Sequence, residues 1–379
     1  MYKAFEDHYK EQPIRHLLLA EHNGALISPP FATELCKDYS KVAVINDRTV
    51  EYIDLDLGDA TSKFNAVAKV GESSWLIPYA IWDDFNVVVQ LENFTPKYHY
   101  LNKKGKGQFY SVAFNDNSAC SFPLGYEDTN FLIYIKDNKL ETIDTDTKEK
   151  KAHMGTVYCN GSFYSMPRGE STDYNYILEF DGTEIKKHTV DVESVARKYT
   201  DAIVVGNKLY SLPYGETAGL KTVLVFDTET KKASYYDIDI PDFAKKYNVQ
   251  VLVDDTIIGL PYGDEDKFDS NWGVTFNVNT LETSKFDIGI NYGGKYRYRC
   301  GVAYKDRAVF FPTGTPGAPI LSVGKDGSIL RVGTDGMKIF GRPILHNDLI
   351  YCVVFDTRNH KHSVVTIDAW LRVLEIAEI

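Results

Sequence analysis

The chain has 379 residues, 44% hydrophobic and 25% charged, proportions that are ordinary for a folded globular protein and that exclude a disordered chain. Its formal net charge of −11 argues against nucleic acids and anionic membranes as partners, because both are bound by clustered Lys and Arg. No apolar run approaches the ~18 residues of a membrane-spanning helix.

The N-terminal residues MYKAFEDHYKEQ are too polar for a signal peptide, so we expect the protein to stay in the compartment where it is made. Isolated cysteines without a C-x-x-C pair are typical of a reducing compartment, where they act as small core residues. The sequence therefore predicts a cytoplasmic protein, or a virion component if the source is viral. The five cysteines are Cys36, Cys120, Cys159, Cys300 and Cys352.

One unit repeats along the chain, and residues 207–239 (NKLYSLPYGETAGLKTVLVFDTETKKASYYDID) show it most fully. An apolar strand ends at a proline, a polar loop follows, a second strand closes on Asp, Asn or Gly, and a third strand comes next. Those closing residues tolerate the backbone of a tight hairpin. The repeat gives a period of about 46 residues, which is in the range of propeller blades. The strand ends are Pro30, Pro78, Pro123, Pro167, Pro213, Pro261, Pro312 and, without the proline, Val353.

A further apolar segment precedes each of these strands, so each unit has four strands. The segments begin at Ile14, Phe64, Phe109, His153, Ala202, Val249, Cys300 and Arg342. The predicted fold is all-β: a single β-propeller of four-stranded antiparallel blades, with eight blades, or seven if the first or last unit is incomplete. Residues 13–379 form the propeller domain, and residues 1–12 are a polar N-terminal lead.

The remaining segments suggest smaller features. The links 57–65, 191–200 and 239–248 start with an acid or Ser/Thr and end near a cation, which predicts one or two helical turns in each. The 26 Tyr and 20 Phe residues are expected to fill the space between blades. His360 and His362 are the one close histidine pair, and we expect both to be solvated on an edge hairpin, so no metal site is predicted.

The four-strand unit, with its turn and its Asp-centred hairpin, resembles kelch-type propeller repeats over nearly the whole chain. The resemblance is to the architecture. The kelch double glycine occurs once, at Gly293–Gly294, in a different part of the unit. Trp82–Asp83 falls in a loop and is not a tryptophan-aspartate repeat, and the Ser-x-Asp-x-Gly-x-Thr-Trp box of sialidases is absent. The chain instead has its own Pro-Tyr-Gly-acid signature, so no family's functional residues are carried over.

The loops after the prolines are the best candidate for a site, because they meet at one face of a propeller around its axis. Tyrosine faces beside carboxylates suit a sugar, a cation or a basic peptide. The predicted ligand-binding residues are Tyr79, Trp82, Asp83, Glu127, Glu170, Asp173, Tyr214, Glu216, Tyr262 and Asp264. The competing interpretation is that Pro and Gly only build turns and that the acids are solvated or paired with Arg197 and nearby lysines.

Three functions remain open. The first is a non-enzymatic recognition or scaffold module that binds a protein or a glycan through this face. The second is a structural subunit of a larger assembly such as a virion, and the third is a carbohydrate-active hydrolase or lyase with carboxylates about 5 to 9 Å apart. The chain has no nucleophile or phosphate-loop motif and predicts no catalytic residue and no cofactor, which favours binding over catalysis.

Overall fold

The computed structural model describes residues 12–79, 85–102, 109–125, 130–147, 149–262, 271–289, 298–312, 318–333, 338–368 and 372–379. They form eight antiparallel sheets, each built from consecutive strands and arranged as the blades of a β-propeller. The predicted all-β class and the eight blades are confirmed. All of the predicted N-terminal lead except Gln12 lies outside the described residues.

In blades 1 to 4 the strands are numbered from the innermost to the outermost of each blade. They are β1 (Ala20–His22), β2 (Ala25–Ser28), β3 (Lys41–Asn46), β4 (Thr49–Asp54); β5 (Phe64–Val70), β6 (Ser73–Pro78), β7 (Val87–Glu92), β8 (Thr95–Tyr100); β9 (Ala113–Phe114), β10 (Ser118–Ser121), β11 (Phe131–Lys136), β12 (Lys139–Asp144); and β13 (Val157–Cys159), β14 (Ser162–Ser165), β15 (Tyr176–Phe180), β16 (Ile185–Thr189).

Blades 5 to 8 follow the same order, except that the innermost strand of blade 8 is split into two segments that both pair with β31. The strands are β17 (Ile203–Val205), β18 (Lys208–Ser211), β19 (Thr222–Asp227), β20 (Lys232–Asp237); β21 (Tyr247–Val253), β22 (Thr256–Pro261), β23 (Trp272–Asn277), β24 (Thr283–Asp287); β25 (Tyr298–Tyr304), β26 (Arg307–Pro312), β27 (Ile320–Gly324), β28 (Ile329–Val332); and β29 (Lys338–Phe340), β30 (Ile344–His346), β31 (Leu349–Asp356), β32 (Lys361–Ile367), β33 (Val373–Glu378).

Burial explains the sequence pattern of the strands. The third strand of a blade, such as β7, is buried along nearly its whole length because neighbouring blades cover both of its faces. The outermost strand, such as β8, alternates between exposed and half-buried residues because it lies at the rim. Continuous apolar runs followed by alternating runs therefore mark third and fourth strands.

The core of the described chain contains one apolar cluster at each of the eight blade junctions and a ninth cluster formed by residues of several blades. At the junction of blades 2 and 3, for example, Trp75 and Val88 pack with Phe109 and Phe131. The aromatic residues fill the space between blades, as predicted. Four of the cysteines are buried, Cys300 is half-buried, and none forms a disulfide.

Among the strands that the structure describes, none is shared by blades 8 and 1, where the ring closes. The N–H of Arg342, in blade 8, donates to the carbonyl of Leu17, which precedes the first strand of blade 1, at 2.9 Å. An apolar cluster that includes Leu26 and Val353 packs between the same two blades. The Arg15 N–H donates to His362 Nε2 at 3.0 Å.

Two local predictions were wrong. The links 57–65, 191–200 and 239–248 contain no helix, because Ser62, Arg197 and Lys245 have φ of 51° to 53°, which a right-handed helix cannot include. One 3₁₀ turn is present instead at Glu34–Cys36. His362 is buried, not solvated, because its ring packs against Phe355 and against His16 of blade 1.

Candidate functional site

Strand direction defines two faces of the disc. The innermost strands begin, and the second strands end at their prolines, on the face that we call the loop face. The hairpins that join the first strand to the second, and the third to the fourth, lie on the opposite face, which we call the hairpin face. The loop face therefore carries the Pro-x-Gly turns and the blade-to-blade links. The predicted site residues that the structure describes belong to these turns and loops; they are Tyr79, Glu170, Asp173, Tyr214, Glu216 and Tyr262.

The Pro-x-Gly turns join neighbouring blades through a repeated backbone pattern. Gly169 and Gly215 have φ of 44° and 62°, in the left-handed region that favours glycine. Their carbonyls accept the N–H groups of Arg197 and Lys245, each at 2.7 Å. The equivalent turns of consecutive blades are thus hydrogen-bonded to the links that follow them. The glycines therefore have a structural role in joining blades.

The tyrosines of these turns are buried. Tyr79, Tyr214 and Tyr262 are 3%, 5% and 8% exposed. They belong to one apolar cluster that also includes Phe31 and Leu124, the residues that follow the proline in blades 1 and 3. The Tyr214 and Tyr262 ring centroids are 6.0 Å apart. Their ring faces therefore pack inside the protein, and a ligand would reach only an edge.

Two of the predicted acids are held by cations. Arg197 donates to Glu170 and to Glu216, each at 2.9 Å, and Lys151 Nζ lies 2.5 Å from Glu170. Burial acts to raise the pKa of Glu170, but the hydrogen bonds from Lys151 and Arg197 outweigh it and lower the pKa to about 2. The field of these carboxylates is therefore largely cancelled.

The other predicted acids contribute less to a described site. Asp173 lies in an exposed turn, where its N–H donates to the Ser171 hydroxyl at 3.2 Å. Trp82, Asp83, Glu127 and Asp264 lie outside the described residues. The structure thus brings Glu170 and Glu216 together through a shared arginine and leaves Asp173 apart from them.

A cavity of about 240 Å³ lies on the propeller axis. Its walls come from the innermost segments of six consecutive blades, 3 to 8, and from their loop-face halves. It shares Tyr110 and Met154 with the apolar cluster of the turn tyrosines. The described lining residues are Tyr110, Ser111, Met154, Gly155, Thr200, Asp201, Asn248, Val249, Gln250, Arg299, Cys300, Gly301, Arg342 and Pro343.

Two arginines of the cavity converge on one tyrosine. The guanidinium carbon atoms of Arg342 and Arg299 lie 4.5 and 5.4 Å from the Tyr110 ring centroid. Arg299 Nε donates to the Tyr110 hydroxyl at 3.1 Å. Burial opposes ionisation of the Tyr110 phenol, but the charges of Arg299 and Arg342 outweigh it and hold its pKa below the usual value. Both guanidinium groups therefore act on the same phenol.

Asp201 is the acidic member of the same cavity. Its side chain is accessible, but that surface faces the cavity inside the disc, so removal from bulk water raises its pKa to about 6. The Ala202 N–H, which donates to Asp201 at 2.8 Å, and the charge of Arg342 oppose this rise. A Cβ on Gly155 would lie 2.2 Å from Asp201 Oδ1, so this glycine leaves room for the carboxylate.

Uncharged polar side chains of the cavity wall form hydrogen bonds with backbone groups of neighbouring blades. The Ser111 hydroxyl donates to the Met154 carbonyl at 2.8 Å. The Gln250 side chain accepts the Leu212 N–H at 2.9 Å. Their hydrogen bonds hold adjacent innermost strands together, so the charged groups give the cavity its chemical character.

The sequence analysis missed Tyr110, Asp201, Arg299 and Arg342. The sequence does contain a pattern that marks them. An aromatic residue opens an innermost segment, and the one or two residues that follow it face the axis. This position holds Thr200–Asp201 after Tyr199 and Arg299 after Tyr298. Charged residues there stand out from the apolar strands around them.

Within the described ranges no three His, Cys, Asp or Glu side chains come together as a metal site requires. The described residues also contain no helix that is long and apolar enough to cross a membrane.

No protein-family model and no curated protein matches the chain. Among solved structures, the chain is similar to the WD40 domain of Neurospora crassa Pan2, with 9% identity and a TM-score of 0.51 over 94% of this chain and 89% of that one. It is also similar to the computationally designed Ika8 protein, with 11% identity and a TM-score of 0.50 over 86% of this chain and 98% of that one. At these identities the likeness is one of fold, and the fold is an eight-bladed β-propeller.

Proposed function

We propose that the protein is a non-enzymatic recognition module whose protein partner docks on the loop face, over the axial cavity. The observation that carries the proposal is this cavity, which places two arginines and a tyrosine at the loop-face end of the axis. Ligand sites are concave and contain a few convergent polar groups, and the cavity has both properties.

The scaffold around the cavity is rigid, which favours recognition. The Lys198 ammonium is buried and donates to the Thr172 carbonyl at 2.7 Å, and Lys246 donates to the Phe243 carbonyl at 2.5 Å. Such bonds fix the links between blades. A preformed surface pays less conformational entropy when it binds a partner.

The hydrolase alternative has less support. Glycoside hydrolysis needs two carboxyl groups, one of them with a raised pKa. Asp201 has a raised pKa, but it is the one carboxylate among the described lining residues of the cavity. Glu170 and Glu216 share Arg197, and the pKa of Glu170 is lowered. The assembly-subunit alternative would need a contiguous apolar surface patch. The described exposed hydrophobic side chains, such as Leu35, Tyr100 and Leu330, instead lie on several blades.

The test compares partners of three proteins: wild type, Asn248→Trp, which fills the cavity, and Lys139→Trp, which places the same side chain on an exposed hairpin of the opposite face. Proteins that cross-link to each are identified, and binding of a purified partner is then measured by calorimetry. We expect a one-to-one partner that is lost with Asn248→Trp and retained with Lys139→Trp. Equal binding by all three proteins would refute docking over the cavity.

A further inference from the structure

We infer that a pocket on the hairpin face, at the junction of blades 8 and 1, binds one ring of a neutral sugar. The volume of this pocket is about 190 Å³. Three hairpins surround it: β1–β2 and β3–β4 of blade 1, and β30–β31 of blade 8. The pocket lies on the face opposite the proposed protein partner, so the inference goes beyond the proposed function and does not depend on it.

The inner part of the pocket is apolar and partly aromatic. Leu26 and Ile45 of blade 1 line it, are each 3% exposed, and belong to the apolar cluster between the two blades. Tyr351 of blade 8 is half-buried, and its ring meets that of His346 edge to face, with centroids 5.8 Å apart. The C–H groups of a sugar ring pack against apolar side chains and aromatic rings of this kind.

The rim of the pocket carries polar groups that can bind a ligand. Asn46 and Asp47 are exposed, and within the described ranges no hydrogen bond or ion pair engages their side chains or the Tyr351 hydroxyl. A carboxylate only accepts hydrogen bonds, whereas a carboxamide and a phenol both donate and accept them. Each hydroxyl of a sugar also donates and accepts, so neighbouring hydroxyls are matched by such a mixture of groups.

His346 is held in place by its neighbours before a ligand arrives. Asn347 Nδ2 lies 3.0 Å from His346 Nε2, and because a carboxamide nitrogen only donates, Nε2 accepts and the ring proton lies on Nδ1. That Nδ1 atom lies 3.4 Å from Glu21 Oε2. The same contact orients the Asn347 carboxamide, whose oxygen can accept a hydrogen bond from a ligand hydroxyl. The wall that blade 8 contributes is therefore preorganised, which lowers the entropy cost of binding.

The arrangement favours a sugar over a basic peptide. Asp47 is exposed to water, which screens its charge, so a lysine or arginine side chain would gain little from it alone. Hydrogen bonds from several uncharged groups, together with the apolar inner part, are needed instead. The volume is below the range of about 300 to 1,000 Å³ found for sites of drug-sized ligands, so one ring enters and any further rings extend into solvent.

Saturation-transfer NMR on the full-length protein tests the inference with glucose, galactose, mannose, fucose, xylose and N-acetylglucosamine. We expect at least one of these sugars to bind with a Kd on the order of 1 mM, as the ligand efficiency of a molecule with about twelve heavy atoms implies. Immobilised glycans distinguish the source of the ring. A glycan that ends in the bound sugar should be retained if the natural ligand is a glycan terminus, and only the free sugar should bind if it is a monosaccharide.

Matched variants locate the binding site. Asn46→Trp fills the pocket and should abolish the transfer, whereas Lys136→Trp, the same change at the equivalent exposed position of blade 3, should retain it. Asp47→Asn should weaken binding about 3- to 10-fold, because a neutral acceptor replaces a charged one, and Asp137→Asn should bind normally. Asp47 and Asp137 have φ of 52° and 50°, which asparagine tolerates, so Asp47→Asn remains informative if Asn46→Trp unfolds.

Three results would overturn the inference. The first is no transfer from any sugar of the panel, and the second is a sugar that Asn46→Trp binds as well as the wild type does. The third is a lysine-rich peptide that binds where no sugar does and is weakened by Asp47→Asn, which would assign the pocket to a basic segment. Asn248→Trp, which fills the axial cavity, should leave sugar binding unchanged, so this test and that of the proposed function fail separately.

Discussion

The buried lysine at the junction of blades 1 and 2 provides a sharp test of how the ring is held together. The Lys63 side chain is fully buried, and its ammonium donates to the backbone carbonyls of Lys37, Tyr39 and Ala60, the last two at 3.2 and 2.9 Å. Lys63→Met keeps the length and most of the volume of the side chain but removes the donor. The three carbonyls then lose their common partner.

The expected loss follows from those three bonds. Each buried carbonyl left without its donor costs about 1 to 3 kcal/mol, and the variant no longer has to remove an ammonium group from water, which offsets part of the cost. We therefore expect Lys63→Met to lower the free energy of unfolding by about 3 kcal/mol. The effect should be similar at the equivalent Lys198, which donates to the carbonyls of Thr172 and Tyr174.

Equilibrium urea unfolding, followed by tryptophan fluorescence, measures this loss; the buried Trp75 in blade 2 is one of the four tryptophans that report on it. Lys232→Met is the matched control, because Lys232 is an exposed lysine of an outermost strand. It should change the free energy of unfolding by less than about 0.5 kcal/mol. A loss below about 1 kcal/mol for Lys63→Met would show that the ammonium does not fix the junction.

Three further predictions concern other buried or partly buried titratable groups. Burial lowers the pKa of three histidines to about 4 or about 3 in the folded protein, whereas the same side chains of the unfolded chain take up protons near pH 6.5. The free energy of unfolding should therefore fall between pH 7 and pH 5, by on the order of 1 kcal/mol per ring. A urea midpoint that is the same at both pH values would contradict this prediction. These rings are His16, His153 and His362. Glu179→Gln weakens the bonds from Tyr164, His188 and Lys231, and should cost about 2 kcal/mol in urea unfolding, whereas the exposed Glu141→Gln should cost almost nothing. A double-mutant cycle on Arg197 and Glu216 should give a coupling of about 1 kcal/mol, and a value near zero would show that their ion pair does not hold the link from blade 4 to the turn of blade 5.

The repeat made the architecture predictable. Hydrophobic strands in a fixed order, with a proline at seven of the eight second-strand ends, predict four strands per unit, and the period then favours eight blades. Local exceptions were less predictable. The links look like capped helices, but Arg197 and Lys245 take a left-handed backbone so that they can pair with the Pro-x-Gly turns, and that pairing depends on a neighbouring blade. Tertiary contacts here override local propensity.

The site was harder to predict, for a physical reason. Conspicuous loop residues such as Tyr214 and Glu216 attract attention because they repeat, but repetition is what a blade junction requires. The residues that line the cavity occur once each. Arg299 and Arg342 come from different blades, and only closure of the ring brings them to one tyrosine.

Because each blade is built from consecutive strands, one blade corresponds to one continuous segment of the chain. Lys198–Tyr199 opens blade 5 and Lys246–Tyr247 opens blade 6, with both lysines and both tyrosines buried in equivalent places. Excision of residues 199–246 would join Lys198 to Tyr247 and restore the same junction sequence with one blade fewer. Duplication of that segment would add a blade in the same way. The diameter of the axial cavity, and with it the size of the group that it admits, can therefore change by whole units, each change placing one existing blade against a new neighbour.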